Sequence, residues 1–184
     1  MKSLPLILFG LTAIAQWAAP LSQIWTREQV LAQGTLIKLK CTAPDPYDPL
    51  RGRYLAVRPE QGEATPPKGM NIARGTPVYV TLGTGADGLT TLQNIVLEPP
   101  ASGDYVQLKT GYTYGARMVV EWPFDRFYVN EMLAPEADKW FAENLRTAKG
   151  IIAEVRVLKG KVVLADLSFD GKPLREILKE RLKK

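Results

Sequence analysis

Histidine is absent from this 184-residue chain, and with it go most routes to acid–base chemistry near neutral pH. Serine–histidine triads, histidine general bases and histidine-containing zinc sites are excluded outright. Cysteine occurs once, at Cys41, so neither an intramolecular disulfide nor a thiolate metal cluster can form. On an alternating pattern such a lone cysteine reads as a small buried hydrophobe. A broad basic surface is missing too. The formal charge is +5, but residues 172–184 hold six bases against two acids, which leaves only +1 to the rest. A basic tail is not a basic domain, and no nucleic-acid partner is expected.

Charge is also missing near the start, where Ser3 to Thr26 is an uncharged run of 24 residues behind Lys2. Two readings fit. A cleaved signal peptide suits the basic start, the apolar stretch and the small residues Ala13 and Ala15. A retained anchor suits the length, since about 20 residues span the hydrocarbon core of a bilayer. Cleavage after Ala15 would leave a short signal, and apolar character continues through Trp17, Leu21, Ile24 and Trp25. The reading favoured is a membrane anchor with residues 4–25 in the lipid bilayer. The helix is expected to run on to Gln33 and to stop at Gly34. Positive charge before the span and a balanced Arg27–Glu28 after it place the C-terminal bulk on the extracytoplasmic side.

From Thr35 onward short alternating runs dominate. Ile37, Leu39 and Cys41 share one face and Lys38 and Lys40 the other, as in a half-exposed strand. Further strands are predicted at Tyr54–Arg58, Val78–Leu82, Leu89–Leu97, Tyr105–Lys109, Ala116–Trp122, Arg126–Val129, Ile151–Leu158 and Lys161–Leu167. Lys159-Gly160 marks a tight hairpin between the last two. One helix interrupts them over 135–148, opened by Pro135 and striped by Ala137, Trp140, Phe141, Leu145 and Ala148. The expected fold is mainly β (α+β): an N-terminal transmembrane helix, then an antiparallel β sandwich or small barrel with one covering helix, and a short C-terminal helix. In domain terms this is an anchor with its helical extension over 1–33, a β-rich extracytoplasmic domain over 34–171, and a basic C-terminal helix or tail over 172–184.

Two places read Gly, any residue, Tyr, aliphatic, any residue, aliphatic, base: Gly52 to Arg58 and Gly103 to Lys109. Each is a turn feeding a strand. If the two turns are structural, Tyr54 and Tyr105 are expected to be substantially buried on equivalent strands. With Asp45-Pro-x-Asp48-Pro-x-Arg51-Gly52-x-Tyr54, and with Phe124-Asp-Arg-Phe-Tyr-Val-Asn-Glu131 later, the chain resembles the bacterial family named after its own motif, the GDYXXLXY proteins. The first copy departs from that motif, with Arg53 at the aspartate position, Val57 at the leucine and Pro59 at the last tyrosine. The second copy keeps Gly103, Asp104, Tyr105 and Leu108 but ends in Thr110. The resemblance implies a membrane-anchored protein of unassigned activity, found alongside polytopic membrane proteins. It carries over no catalytic residue.

Candidate site residues follow from these stretches. Arg51 or Arg53 is suited to clamping an anionic ligand, because guanidinium pairs carboxylate or phosphate bidentately. Asp45 and Asp48 equally read as turn caps beside proline, and Glu131, after Phe127 and Tyr128, as an internal partner for one of those arginines. The binding set is therefore Asp45, Asp48, Arg51, Gly52, Arg53, Tyr54, Gly103, Asp104, Tyr105, Phe127, Tyr128 and Glu131. The expected role is a membrane-tethered, exported binding or accessory module for a polytopic membrane or envelope protein. The alternative is an envelope hydrolase with paired carboxylates drawn from Asp45 or Asp48 and Glu131. Ser102 and Ser168 sit in no nucleophile motif, and Asp45 with Asp48 lacks the spacing of a calcium loop. The sequence thus assigns no catalytic residue, no cofactor and no metal ligand.

Overall fold

The computed structural model describes residues 4–42, 54–70, 72–130, 132–133, 135–137, 139–140 and 150–182. A helix runs from Leu4 to Gln33, with its side chains described from Leu8. It ends where the sequence says it should. The Gly34 N–H donates to the Val30 carbonyl at 2.9 Å, closing the last turn before the chain turns into a strand. Val30 is only 1 % exposed, so this end of the helix is seated on the body. Higher up, Phe9, Ile14, Trp17 and Trp25 all stand exposed. Among the described residues no helix is long and apolar enough to cross a membrane. The expected transmembrane helix over residues 4–25 therefore gains no support from the structure. Gln16, Pro20 and Gln23 dilute its apolar run.

Among the described residues twelve strands follow: β1 (Thr35–Thr42), β2 (Tyr54–Ala56), β3 (Arg58–Pro59), β4 (Glu63–Ala64), β5 (Pro77–Thr84), β6 (Thr90–Val96), β7 (Tyr105–Tyr114), β8 (Arg117–Glu121), β9 (Arg126–Tyr128), β10 (Ile151–Leu158), β11 (Lys161–Phe169) and β12 (Lys172–Pro173). Their pairing within the sheets is antiparallel. One sheet has the order β12-β11-β10-β1-β3, a second β4-β8-β7-β5-β6, and β2 pairs with β9 alone. The second sheet nearly closes on itself. Just past β4, Thr65 donates its N–H to Gln93 and accepts one from Ile95, both at 2.8 Å, so the first strand in the order returns to the last. Closure removes most of the free edge that an open sheet would present.

Alternation fixes which residues fill the core. Ile37, Leu39 and Cys41 of β1 are buried as their spacing predicts, facing the buried row Ile151, Ala153, Val155 and Val157 of β10. In the barrel, Val78, Val80, Val106, Leu108, Met118 and Val120 point inward and join the same continuous apolar cluster. The two sheets are also stitched at the backbone, where Gln107 N–H donates to the Gly160 carbonyl at 2.8 Å. That contact hangs on the β10–β11 hairpin, whose turn residues Lys159 and Gly160 have φ of +48° and +80°. These are the paired positive values that suit the right-handed twist of a two-residue hairpin.

Helical conformation is present at 135–137 and 139–140, with Ala137 and Trp140 buried. The Trp140 ring stands edge-on to Phe169 of β11 at 4.9 Å, so this segment covers the open sheet rather than the mouth of the barrel. Phe141, Leu145 and Ala148, expected to continue the stripe, lie outside the described residues. The last helix, Leu174–Leu182, buries Leu174 and Leu178 one turn apart and leaves Arg175 and Lys179 exposed.

A cationic cleft at the neck

The short β2–β9 ribbon borders a cleft lined by three arginines. Register opposes Tyr54 to Tyr128, Leu55 to Phe127 and Ala56 to Arg126. Alternation then sends Leu55 and Phe127 into the core and leaves Arg126 and Tyr128 outward. The Tyr54 and Tyr128 rings meet at 6.2 Å, and the Arg126 guanidinium sits 4.8 Å above the Tyr54 ring. Such cation–π contact holds the planar group in place without consuming its donors. Arg126 Nε lies 3.5 Å from Asp125. A hydrogen bond to Tyr128, and next the Asp125 charge, raise the Arg126 pKa above its ordinary value.

Two further arginines converge on this place from the ends of the chain. Arg27 comes from the N-terminal helix, one turn above buried Val30, and Arg175 from the first turn of the C-terminal helix; both line a cleft of about 400 Å³ together with Arg126. The Arg175 guanidinium lies 5.5 Å over the Phe127 ring and 3.9 Å from Asp166. Desolvation, the largest influence, raises the Asp166 carboxyl pKa; a hydrogen bond from Leu167 and the charge of Arg175 act the other way. Val162 and Leu164 of β11 supply the apolar wall. A neighbouring hollow of about 660 Å³ lies across the Trp122–Asp125 segment, lined by Lys109, Glu121 and Trp122. There Glu121 is met by Arg74 at 3.4 Å, so its charges largely cancel. Among the described residues the neck cleft sets three guanidinium groups against one lining carboxylate, Asp125.

The predicted site residues separate into three groups. Tyr54, Phe127 and Tyr128 come together at the neck. Gly103, Asp104 and Tyr105 belong elsewhere. Asp104 accepts a hydrogen bond from the Thr35 hydroxyl at 3.3 Å, and Tyr105 packs edge-on to Tyr79 at 5.7 Å. Asp45, Asp48, Arg51, Gly52, Arg53 and Glu131 lie outside the described residues. The two Gly-x-Tyr turns are not equivalent: Tyr54 begins a two-stranded ribbon, Tyr105 a strand inside the barrel, and both rings are only half-buried. The expectation that both would be largely buried on equivalent strands is thereby corrected. Sequence reading also missed Arg27, Arg126 and Arg175. Arg126 stood inside the Phe124–Glu131 stretch already singled out, whereas nothing local connects Arg27 to Arg175. Among the described residues no group of three acids, thiols or imidazoles is arranged to hold a metal.

Fold and cleft together define a helix-headed antiparallel β module whose distinctive chemistry is cationic and aromatic. The chain belongs to the GDYXXLXY protein family, whose model matches residues 16–167. No curated protein and no solved structure matches it.

Proposed function

We propose that the protein is a membrane-tethered accessory module, held in the bilayer by its N-terminal helix beside a helix of a polytopic partner, with its β body on the extracytoplasmic side. The observation that carries this is the helix itself. Its 30 residues reach about 45 Å, ample for a bilayer. Leu8, Phe9, Leu11, Ile14, Trp17, Leu21, Ile24 and Trp25 are all exposed along it. The polar residues that lower its apolarity are not scattered. Thr12, Gln16 and Gln23 recur at one-turn and two-turn intervals, so they fall along one line of the helix, with Ala19 between. In hydrocarbon, amide side chains on such a line are satisfied by a neighbouring helix, and small residues let it approach closely. A helix too polar to cross alone is suited to crossing in company.

The β body adds rigidity to this arrangement. Val30 is buried, and Arg156 Nη1 donates to the Gly34 carbonyl at 2.9 Å, so the helix leads into β1 of the open sheet without a slack linker. Tagged protein solubilised from membranes is expected to bring down one polytopic protein. The double substitution Gln16→Leu, Gln23→Leu is expected to stay in the alkali-resistant membrane fraction while losing that partner. Release of the unaltered protein by alkaline carbonate would remove the anchor. Retention of the partner by the double variant would remove the helix–helix seam.

A further inference from the structure

We propose that the neck cleft is a binding site for a phosphate-bearing anion, with the headgroup of an anionic phospholipid as its occupant. The charge pattern points to this class of ligand. Arg27, Arg126 and Arg175 reach one cleft of about 400 Å³ from three separate elements. Among the described residues the three guanidinium groups outnumber the carboxylates beside them, Asp125 at Arg126 and Asp166 at Arg175. Arg27 forms no ion pair among the described residues, and the nearest carboxylates to Arg126 and Arg175 lie at 3.5 and 3.9 Å, beyond the length of a strong charge-assisted hydrogen bond. Two of the three guanidinium planes are oriented from behind by aromatic rings, Arg126 by Tyr54 and Arg175 by Phe127. Planar forks held in this way offer to a ligand the N–H donors that Tyr128, Asp125 and Asp166 do not take up, an arrangement that matches tetrahedral oxyanions.

Placement selects the source of the anion, and here the inference rests on the anchored reading above. Arg27 follows Trp25 by two residues. If Trp25 sits at the water–hydrocarbon interface, where indole rings settle, the cleft opens at the level of the headgroups. Val162 and Leu164 on its wall would then face the glycerol backbone of the lipid rather than water. The neighbouring hollow lacks this pattern, because its one lining base, Lys109, stands with Glu121 and Asp125.

The test uses the full chain purified in a neutral detergent and titrated with dihexanoyl phosphatidylglycerol, dihexanoyl phosphatidylcholine and inorganic phosphate, each followed by calorimetry. Phosphatidylglycerol is expected to bind at least 10-fold more tightly than phosphatidylcholine, with the preference falling about 10-fold in Arg126→Gln and in Arg175→Gln. Arg27→Gln, an exposed helix position that leaves the body unchanged, should weaken binding with no change in melting temperature, which guards against loss through unfolding. Inorganic phosphate binding that falls in the same three variants, with no preference among lipids, would keep the oxyanion site and reassign its source to free phosphate. Equal binding of both lipids without phosphate binding that depends on these arginines, or binding indifferent to all three substitutions, would overturn the proposal. Carbonate extraction of the same variants separates the two readings. Cleft variants should remain in membranes, whereas a failed anchor releases every form of the protein and leaves the phosphate titration still decisive.

Discussion

A methyl group placed on Gly34 tests how the N-terminal helix is joined to the β body. The position has no unusual backbone angle, so alanine there is not strained by conformation. The difficulty is space. A Cβ on Gly34 would fall inside contact distance of the Val30 carbonyl and lie 3.0 Å from both the N and the O of Val157. All three are backbone atoms held in the last helical turn and the β1–β10 ladder, where Thr35 pairs with Val157. Overpacking against atoms that cannot rotate away costs about 1–3 kcal/mol. Relief by moving the chain would stretch the 2.9 Å bond from Arg156 to the Gly34 carbonyl, a charge-assisted bond worth about 1.5–3 kcal/mol when fully formed. Reduced freedom of the unfolded chain returns about 0.4–1 kcal/mol. The balance is a loss of about 2–4 kcal/mol, which for a chain of this size lowers the melting temperature by about 5–15 °C. Gly62→Ala is the control. Its added carbon meets nothing closer than the Val120 carbonyl at 4.0 Å, and it should melt within about 2 °C of the native protein. Differential scanning fluorimetry of the three proteins decides the matter. A Gly34→Ala protein as stable as the control would refute a rigid, sterically closed joint.

Three other outcomes follow from the same geometry. Cys41 is buried with its thiol directed to the Leu39 carbonyl at 3.6 Å, so it should resist alkylation in the native state and react on unfolding. Burial, the largest cause, pushes that thiol up to about 12, whereas an unfolded thiol ionises near about 8.5. Stability linked to Cys41 is therefore complete below that lower value and declines as pH rises through the interval, by at most about 1.4 kcal/mol per unit, a slope that Cys41→Ala should remove from alkaline melts. At the hairpin, Gly160→Ala should cost more than Gly171→Ala. Both have strongly positive φ, but only the first brings its new carbon to 3.0 Å from the Tyr105 ring, so a smaller loss at Gly160 in paired thermal melts would contradict the packing.

Much of the body was legible because alternation is a local property. The runs around Val78–Leu82, Ile151–Leu158 and Lys161–Leu167 appear as β5, β10 and β11, each extended by a residue or two or kept as read. Burial of Ile37, Leu39 and Cys41 followed from side chains that must face one way or the other on a pleated strand. Tyr54–Arg58 was less faithful. It divides into β2 and β3, which pair with β9 and β1 respectively: Val57 N–H still donates to the Asp125 carbonyl at 2.9 Å, one step along the β2–β9 register, and the change of partner comes at Arg58. No spacing in the sequence announces such a change of partner. The two Gly-x-Tyr stretches read alike for the same reason: the pattern records a turn entering a strand, and says nothing of which strand waits beside it.

The sequence by itself determined the helix ending at Gly34, the run of short strands, the hairpin at Lys159-Gly160, the exclusion of histidine and disulfide chemistry, and the motif that places the chain in its family. Each depends on residues within a few positions of one another, where backbone sterics and period act directly. Only the tertiary structure decided that Thr65 returns to Gln93 and Ile95 to close the barrel, and that Gln107 takes a carbonyl from the Gly160 turn to join barrel and sheet. It alone brought Arg27, Arg126 and Arg175 to one cleft. Contacts between distant residues are chosen by which apolar faces can be buried together, and charged side chains are then carried to wherever those faces leave them.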